Sequence, residues 1–304
     1  MNYDGVKLRH LRTFIEVARQ NSISRAASIL SVSQPAVTRT INELEALLGE
    51  ELLRRDGRGI RLSLMGEIFL HHAGSSVAAL RRGTDAIAQS AKSVNVPVRV
   101  GALPTVSARV MPKAVETFIA ANSGGRLSVT TGDNNTLFAQ LRNGDLDLVV
   151  GRLAAPEIMA GFKFEHLYSE RVIFAVRAQH PLLQSRELAY DRLADYPILM
   201  PTRRSIIRPI VDRLLISLAI GDFPNQIETV SDSFGRAFLF RSDAIWIISE
   251  GVVANDLQDG RLQRLPIDTS ETLGAVGLTT LQDQEPSLPL KILIEAIKQW
   301  ATKA

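Results

Sequence analysis

Three side chains near the start of one amphipathic segment, Gln34, Thr38 and Arg39, have the types and spacing to read a DNA duplex. Glutamine can pair with adenine and arginine with guanine in the major groove, while threonine can reach a phosphate or a thymine methyl. Further along, Arg58 lies in the glycine-flanked basic stretch 53–62, which reads as a two-stranded ribbon whose tip can reach a backbone or a minor groove. A second set suits different chemistry. Arg203 and Arg204 stand beside Thr202 and Ser205, and an arginine fork binds a small carboxylate bidentately.

The first set needs two short helices to present it. Leu8, Leu11, Phe14, Ile15 and Ala18 recur at helical spacing and predict one apolar face. A second helix is expected over 25–30 with Ser24 as its N-cap, and Ala26-Ala27 lets a neighbour approach closely. After the turn Ser31-Val32-Ser33, Ser33 can cap a helix over about 34–48 that carries Pro35 in its first turn and turns Val37, Ile41, Leu44 and Leu48 inward. Two helices joined so tightly place the second in a major groove. Each piece alone fits a generic helical hairpin with a solvated loop; their order points to DNA.

From Ser63 to about Ala91 no proline occurs, and Phe69, Ala73, Val77, Leu80, Thr84, Ile87 and Ala91 recur at steps of three and four. That is a coiled-coil seam, and a helix of roughly thirty residues exceeds the width of a small domain, so a partner copy is expected. Ser93 to Pro97 breaks the pattern as a hinge. Strands and helices then alternate: strands over 98–101, 127–131 and 146–150 with helices over 107–121 and 136–142. A second cycle follows, ending in a strand at 274–279 and a helix at 288–301 that return to the first lobe. This alternation predicts mostly parallel sheets, with ligands bound beyond the carboxyl ends of strands. Four loops meet that description: 102–107 with Thr105 and Ser107, 132–135 with Asn134, 201–205 with Thr202, Arg203, Arg204 and Ser205, and 230–234 with Ser231. The hydroxyls could equally cap their helices, and the arginines could pair with acids on an exposed turn.

The 304 residues, 45% hydrophobic and 22% charged, allow several folded domains. Net charge is +3, but the first 96 residues carry +4 and the remainder −1, so any basic face belongs to the N-terminal third. The absence of cysteine excludes disulfides and thiolate chemistry and fits a reducing compartment. The five histidines, His10, His71, His72, His166 and His180, form neither a triad motif nor a metal-ligand pattern such as H-E-x-x-H, so no enzyme, metal or cofactor is expected. Neither a secretory leader nor a membrane-spanning run is visible, which predicts a cytoplasmic protein and argues against a solute-binding receptor for transport.

Ala26-Ala27, Val32 to Arg39, Ile41, Leu44-Glu45, Leu48-Gly49, Leu52-Leu53, Leu62-Ser63 and Gly66-Glu67 together resemble the signature of LysR-type regulators, and the resemblance runs along the whole chain. It implies an α/β protein overall: an all-α winged helix-turn-helix at 1–62, a linker and dimerisation helix at 63–92, and a two-lobed effector domain at 93–304 resembling periplasmic binding proteins. Lobe I would take about 97–165 and 268–304, lobe II about 166–267. The family's DNA-contacting positions fall on Gln34, Pro35, Thr38, Arg39 and Arg58, next to the cap Ser33, and its effector-contacting positions on Thr105, Asn134, Thr202, Arg203 and Ser205. Expected partners are a double-stranded promoter DNA, a small carboxylate effector, further copies of the chain as homodimers assembling into homotetramers, and RNA polymerase; no membrane is expected. Ser63 stands where threonine is commoner and should cap the linker helix equally well. Within the family, 99–112, 200–208 and 229–249 look most like regulators of protocatechuate catabolism, implying an activator that answers a carboxymuconate-like ring-cleavage product. Regulators linked to a galactose-binding protein are the alternative group.

Overall fold

The computed structural model describes residues 3–57, 59–90, 97–121, 126–184, 188–282 and 285–302. The chain divides into two units, Met1–Val96 with Ala139–Leu146, and Pro97–Phe138 with Asp147–Ala304.

In the first unit, α1 (Leu8–Gln20), α2 (Ile23–Leu30) and α3 (Gln34–Leu48) precede a hairpin of β1 (Leu53–Asp56) and β2 (Gly59–Leu62) and a long α4 (Leu64–Ser90). Phe14, Val17, Ala26, Ala27, Val37, Ile41 and Leu44 are buried together with Leu11, Ile15 and Leu48 packed against them, whereas Leu8, expected on the same face, is exposed at the start of α1 and Val17, not expected there, is buried. The cap of α2 is Ser22 rather than Ser24: its hydroxyl accepts from Arg25 N at 3.4 Å, so the helix starts earlier than expected. Ser33 does cap α3, accepting from Ala36 N at 3.4 Å, and Gly49 closes that helix with φ +73°, a conformation an L side chain resists. Asp56 faces Gly59 across the hairpin, and Gly57, directly after Asp56, supplies the positive φ, +56°, that a tight hairpin turn needs. Ser63 holds the start of α4, accepting from Gly66 N at 2.9 Å and donating to Glu51 O at 2.5 Å.

The expected seam along α4 is only partly available to a partner. Phe69 packs on Phe14 with ring centroids 5.5 Å apart and Ala73 is buried, so both belong to the helix-turn-helix core. Leu80 and Ile87 remain exposed, joined by Leu64, Met65 and Ile68. Ala91 and the hinge 93–96 lie outside the described residues.

The second unit holds two five-stranded sheets. Sheet I contains β3 (Val98–Ala102), β4 (Leu127–Thr131), β5 (Leu148–Arg152), β6 (Phe162–Glu170) and, from the chain's end, β12 (Gly274–Leu281), in the order β4-β3-β5-β12-β6. Its helices are α5 (Pro104–Arg109), α6 (Met111–Ala120), α7 (Asn134–Arg142), a four-residue α8 (Pro156–Met159) and the terminal α12 (Leu288–Ala301). Sheet II contains β7 (Val172–Arg177), β8 (Ile198–Met200), β9 (Gln226–Glu228), β10 (Ile245–Ser249) and β11 (Leu262–Arg264), in the order β11-β7-β10-β8-β9, with α9 (Arg208–Ser217), α10 (Asp232–Leu239) and α11 (Ala254–Gln258). On β7, Val172, Phe174 and Val176 enter one core cluster and Ile173 and Ala175 another, because alternate side chains leave opposite faces of a sheet covered on both sides.

The parallel pairs β3/β4, β3/β5, β8/β9 and β8/β10 agree with the βα alternation, but β12 and β7 pair antiparallel with their neighbours, so both sheets are mixed. The helix expected over 107–121 is two helices, since Pro112 lacks an N–H and its ring crowds the preceding turn. The strand β6 is not evident in the sequence because its polar–apolar alternation over 162–165 breaks at 166–168, where the pairing with β12 shifts register. It carries the passage from sheet I to sheet II to Arg171, beyond the expected 165–166.

Candidate functional site

The DNA-facing candidates lie on α3. Gln34, Pro35, Thr38, Arg39, Asn42 and Glu43 border one shallow concave strip, so the residues singled out by type also share a surface. Ser33, Gln34 and Pro35 are exposed, and Thr38, half-buried, donates its hydroxyl to Gln34 O at 3.1 Å. The Gln34 Oε1 accepts from Ser24 at 3.1 Å, which gives Ser24 a role at this surface in place of the cap. Arg39, with 82% of its side chain exposed, directs its Nε to Glu43 at 2.9 Å. Arg58 lies outside the described residues; the strands on either side of it form the expected ribbon.

The second unit contains a cavity of about 800 Å³ lined from both sheets. All four expected loops contribute: Thr105 and Ser107, Asn134, Thr202 with Arg204 and Ser205, and Ser231. Arg203 does not line it. It is exposed in the turn before α9, and successive residues of a turn do not share a direction, so the adjacent arginine pair forms no fork toward the cavity. Several hydroxyls are already engaged. Ser107 donates to Pro104 O at 3.0 Å, Ser231 caps α10 by accepting from Phe234 N at 3.2 Å, and Thr105 donates to the buried carboxylate of Glu170.

Asn134 behaves differently. It is 4% exposed, and neither its amide oxygen nor its amide nitrogen has a partner among the described residues. Two cavity residues that sequence reasoning missed share that property, the Nε of Arg152 and the Nε1 of Trp246. Native proteins rarely leave buried donors unmet, so three such groups on residues that line one cavity make it the candidate site for a polar ligand. The sequence carries a signal for Arg152, which ends the buried strand β5 at the carboxyl end where ligands bind, but the apolar run predicts a strand that stops at Val150. For Trp246 the only signal was that a buried indole needs an acceptor.

Arg152 is also bound to the framework. Its Nη2 donates to Glu170 O at 2.6 Å and its Nη1 to Thr272 O at 3.1 Å, which are the points where the chain leaves sheet I and where it returns to it. Val172 N donates to Thr272 Oγ1 at 2.8 Å, joining the two passages directly. The carboxylate of Glu170 accepts from Thr105 on the sheet I side and from Gly251 N, 3.0 Å, on the sheet II side. Burial pushes the Glu170 carboxyl above its ordinary value, against the pull of Thr105 and Arg152.

Three arginines and two aspartates border the cavity. Arg236 is committed to Asp256 at 2.8 Å and to Val252 O, leaving Arg152 and Arg204 to face a ligand. Burial raises Asp232, against the pull of Arg236. Asp133, although burial pushes it up, is held below its usual range by hydrogen bonds from Thr136 and nearby backbone N–H groups at the start of α7.

A helix-turn-helix with a ribbon, a long helix and a two-sheet sensing body define a ligand-responsive regulator of transcription. Residues 8–67 match the bacterial regulatory helix-turn-helix family of LysR type, and residues 92–302 match the LysR substrate binding domain. The chain belongs to the LysR family of transcriptional regulators. It is 60% identical over 296 residues to the HTH-type transcriptional regulator PcaQ of Agrobacterium fabrum, covering 97% of this chain and 95% of that protein. It is 34% identical over 294 residues to the regulator YdcI of Escherichia coli, covering 97% and 95%, and 23% identical to GbpR of Azospirillum brasilense, covering 96% and 86%. Among solved structures, a full-length single-substitution variant of OxyR from Pseudomonas aeruginosa superposes with a TM-score of 0.63 at 21% identity, covering 97% and 94%. The LysR family regulator CbnR superposes with a TM-score of 0.59 at 21% identity, covering 97% and 99%, and shares the fold. These relatives are regulators, not enzymes. Among the described residues no helix is long and apolar enough to cross a membrane.

Proposed function

We propose that this regulator activates genes for the degradation of an aromatic acid, and that its effector is a carboxymuconate-like ring-cleavage product of protocatechuate. The observation that carries the reading is the cavity in which Arg152 Nε, the Asn134 amide and Trp246 Nε1 lack partners. Two of these groups are donors and the third is both donor and acceptor, a set suited to carboxylate oxygens. Arg204, on the sheet II side, supplies a second cation for a further carboxylate. A neutral sugar would satisfy the amide but offer no charged oxygen to Arg152 Nε or to Arg204, which is why the sugar-responsive reading ranks second. The 60% identity to PcaQ over almost the whole chain supports the same pathway.

The remaining machinery follows the family plan. Residues 1–62 bind a promoter duplex through Gln34, Pro35, Thr38, Arg39 and Arg58, with Ser33 setting the helix start; 63–92 join two copies, and pairs of dimers form the tetramer that meets RNA polymerase. Residues 93–304 respond to effector, which alters the relative placement of the DNA-reading pairs. Isothermal titration of the full chain with 3-carboxy-cis,cis-muconate, protocatechuate and galactose tests the effector. Saturable binding of the carboxymuconate, accompanied by a changed footprint on promoter DNA, is expected. Binding of galactose alone, or a footprint unchanged at saturation, refutes the reading.

A further inference from the structure

The base-reading strip of α3 contains a carboxylate. Glu43 stands one turn beyond Arg39, accepts from Arg39 Nε at 2.9 Å, and accepts from Arg9 Nη2 of α1 at 3.0 Å. His10 Nε2, on a side chain 3% exposed, lies 3.5 Å from the same carboxylate. His10 Nδ1 accepts from Lys7 N at 3.1 Å, which turns the other ring nitrogen to the Glu43 side. This carboxylate is therefore tied to the framework of α1 instead of moving freely, and the hydrogen bond from Arg39, stronger than the effect of burial, keeps it ionised below the usual range.

Two consequences follow for DNA. Arg39 is gripped by its Nε while the Nη edge of an 82% exposed side chain faces outward, the edge that can donate to O6 and N7 of a guanine. A carboxylate that pairs with two arginines also removes them from phosphate neutralisation and repels the backbone itself, lowering the affinity for arbitrary sequence. The second effect is not available to a neutral side chain, and the first would survive there only as a weaker, uncharged hydrogen bond.

We infer that Glu43 is a specificity-determining residue of this regulator, which positions Arg39 for a base edge and withholds Arg39 and Arg9 from indiscriminate phosphate contacts. The inference rests on the base-reading role of Arg39. It is tested with the full-length protein on two duplexes, one selected by the wild-type protein from a random pool and one of scrambled sequence, by fluorescence anisotropy at several salt concentrations. Glu43→Gln is expected to lower the ratio of selected to scrambled affinity about tenfold, mainly by tighter scrambled binding, and to steepen the salt dependence on scrambled DNA by about one ion. Repeating the selection with the variant should show lost preference at one base pair, a change that a destabilised fold would not confine to one position. In an Arg39→Ala background the same substitution should leave the ratio unchanged. If Arg39→Ala abolishes preference but Glu43→Gln leaves ratio and salt slope as in wild type, the inference alone is overturned. If Arg39→Ala still discriminates, the base-reading assignment and the inference fail together.

Discussion

Arg152 offers the most exposing test of the sensing mechanism, because one side chain is assigned both a structural and a ligand-reading task. In Arg152→Met the side chain keeps much of its bulk but loses the hydrogen bonds to Glu170 O and Thr272 O, and the buried Glu170 carboxyl loses its nearest cation. Removing one member of a buried charged group costs about 3–5 kcal/mol. The two charge-assisted bonds, at about 1.5–3 kcal/mol each, give a sum of the same order. For a unit of this size the unfolding midpoint should fall by roughly 6–20 °C, read on the transition that effector shifts. Loss of the Nε contact should weaken effector binding by about 10- to 100-fold, the equivalent of one hydrogen bond to a charged group. Arg152→Lys restores the charge without the planar fork and should fall between the two in both assays. An Arg152→Met protein that melts with the wild type and titrates with wild-type affinity would refute both the tie between the chain passages and the role in binding.

Other consequences are accessible by similar means. Glu170 is raised above its unfolded value, so the stability it contributes is fully present below the ordinary glutamate range and is lost as pH rises through the raised value. Glu170→Gln should remove that decline in denaturant titrations between about pH 4 and pH 8, and an unchanged profile would contradict the assignment. Gly251 presses on Thr105 and Glu170; a Cβ there would lie 2.6 Å from Thr105 O. Gly251→Ala should therefore cost about 1–3 kcal/mol and weaken effector binding, measured by thermal shift and titration, whereas a neutral effect would show that the two sides are not latched there. Leu80 and Ile87 are 51% and 72% exposed, and replacing both by aspartate should convert the oligomer to monomer in light scattering. Because a second contact is proposed to join the dimers, the mass need only fall by half to support the linker-helix contact; an unchanged mass would move that contact elsewhere.

The N-terminal module was the most legible part of the chain. Its helices are short, its caps and turns are local chemistry, and its apolar periodicity has one partner surface, so Ser33, Pro35 and Gly49 announce the boundaries that α3 adopts. The cap at Ser22 in place of Ser24 shows the resolution of local rules: two serines two residues apart offer the same oxygen, and only the path of the chain decides whether Ser22 meets Arg25 N or Ser24 meets an N–H further on. In the sensing body the strands β3, β5 and β8 are visible because buried strands are apolar runs, whereas β6 is half-exposed and carries too many polar residues to be distinguished from a loop.

By itself, the sequence determined the class of protein, the helix-turn-helix whose second helix is proposed to face DNA, and the four loops that line the cavity. These follow from local rules, since capping, periodicity and the carboxyl ends of strands depend on near neighbours in the chain. Only the tertiary structure decided which side chains in those loops are free. Arg203 and Arg204 are adjacent in sequence, yet Arg204 lines the cavity and Arg203 does not, while Arg152, far from both, arrives at the end of β5 with its Nε unmet. Whether a polar group has a partner is a property of residues brought together from distant parts of the chain: Thr105 meets Glu170, and Glu43 meets Arg9, only after folding.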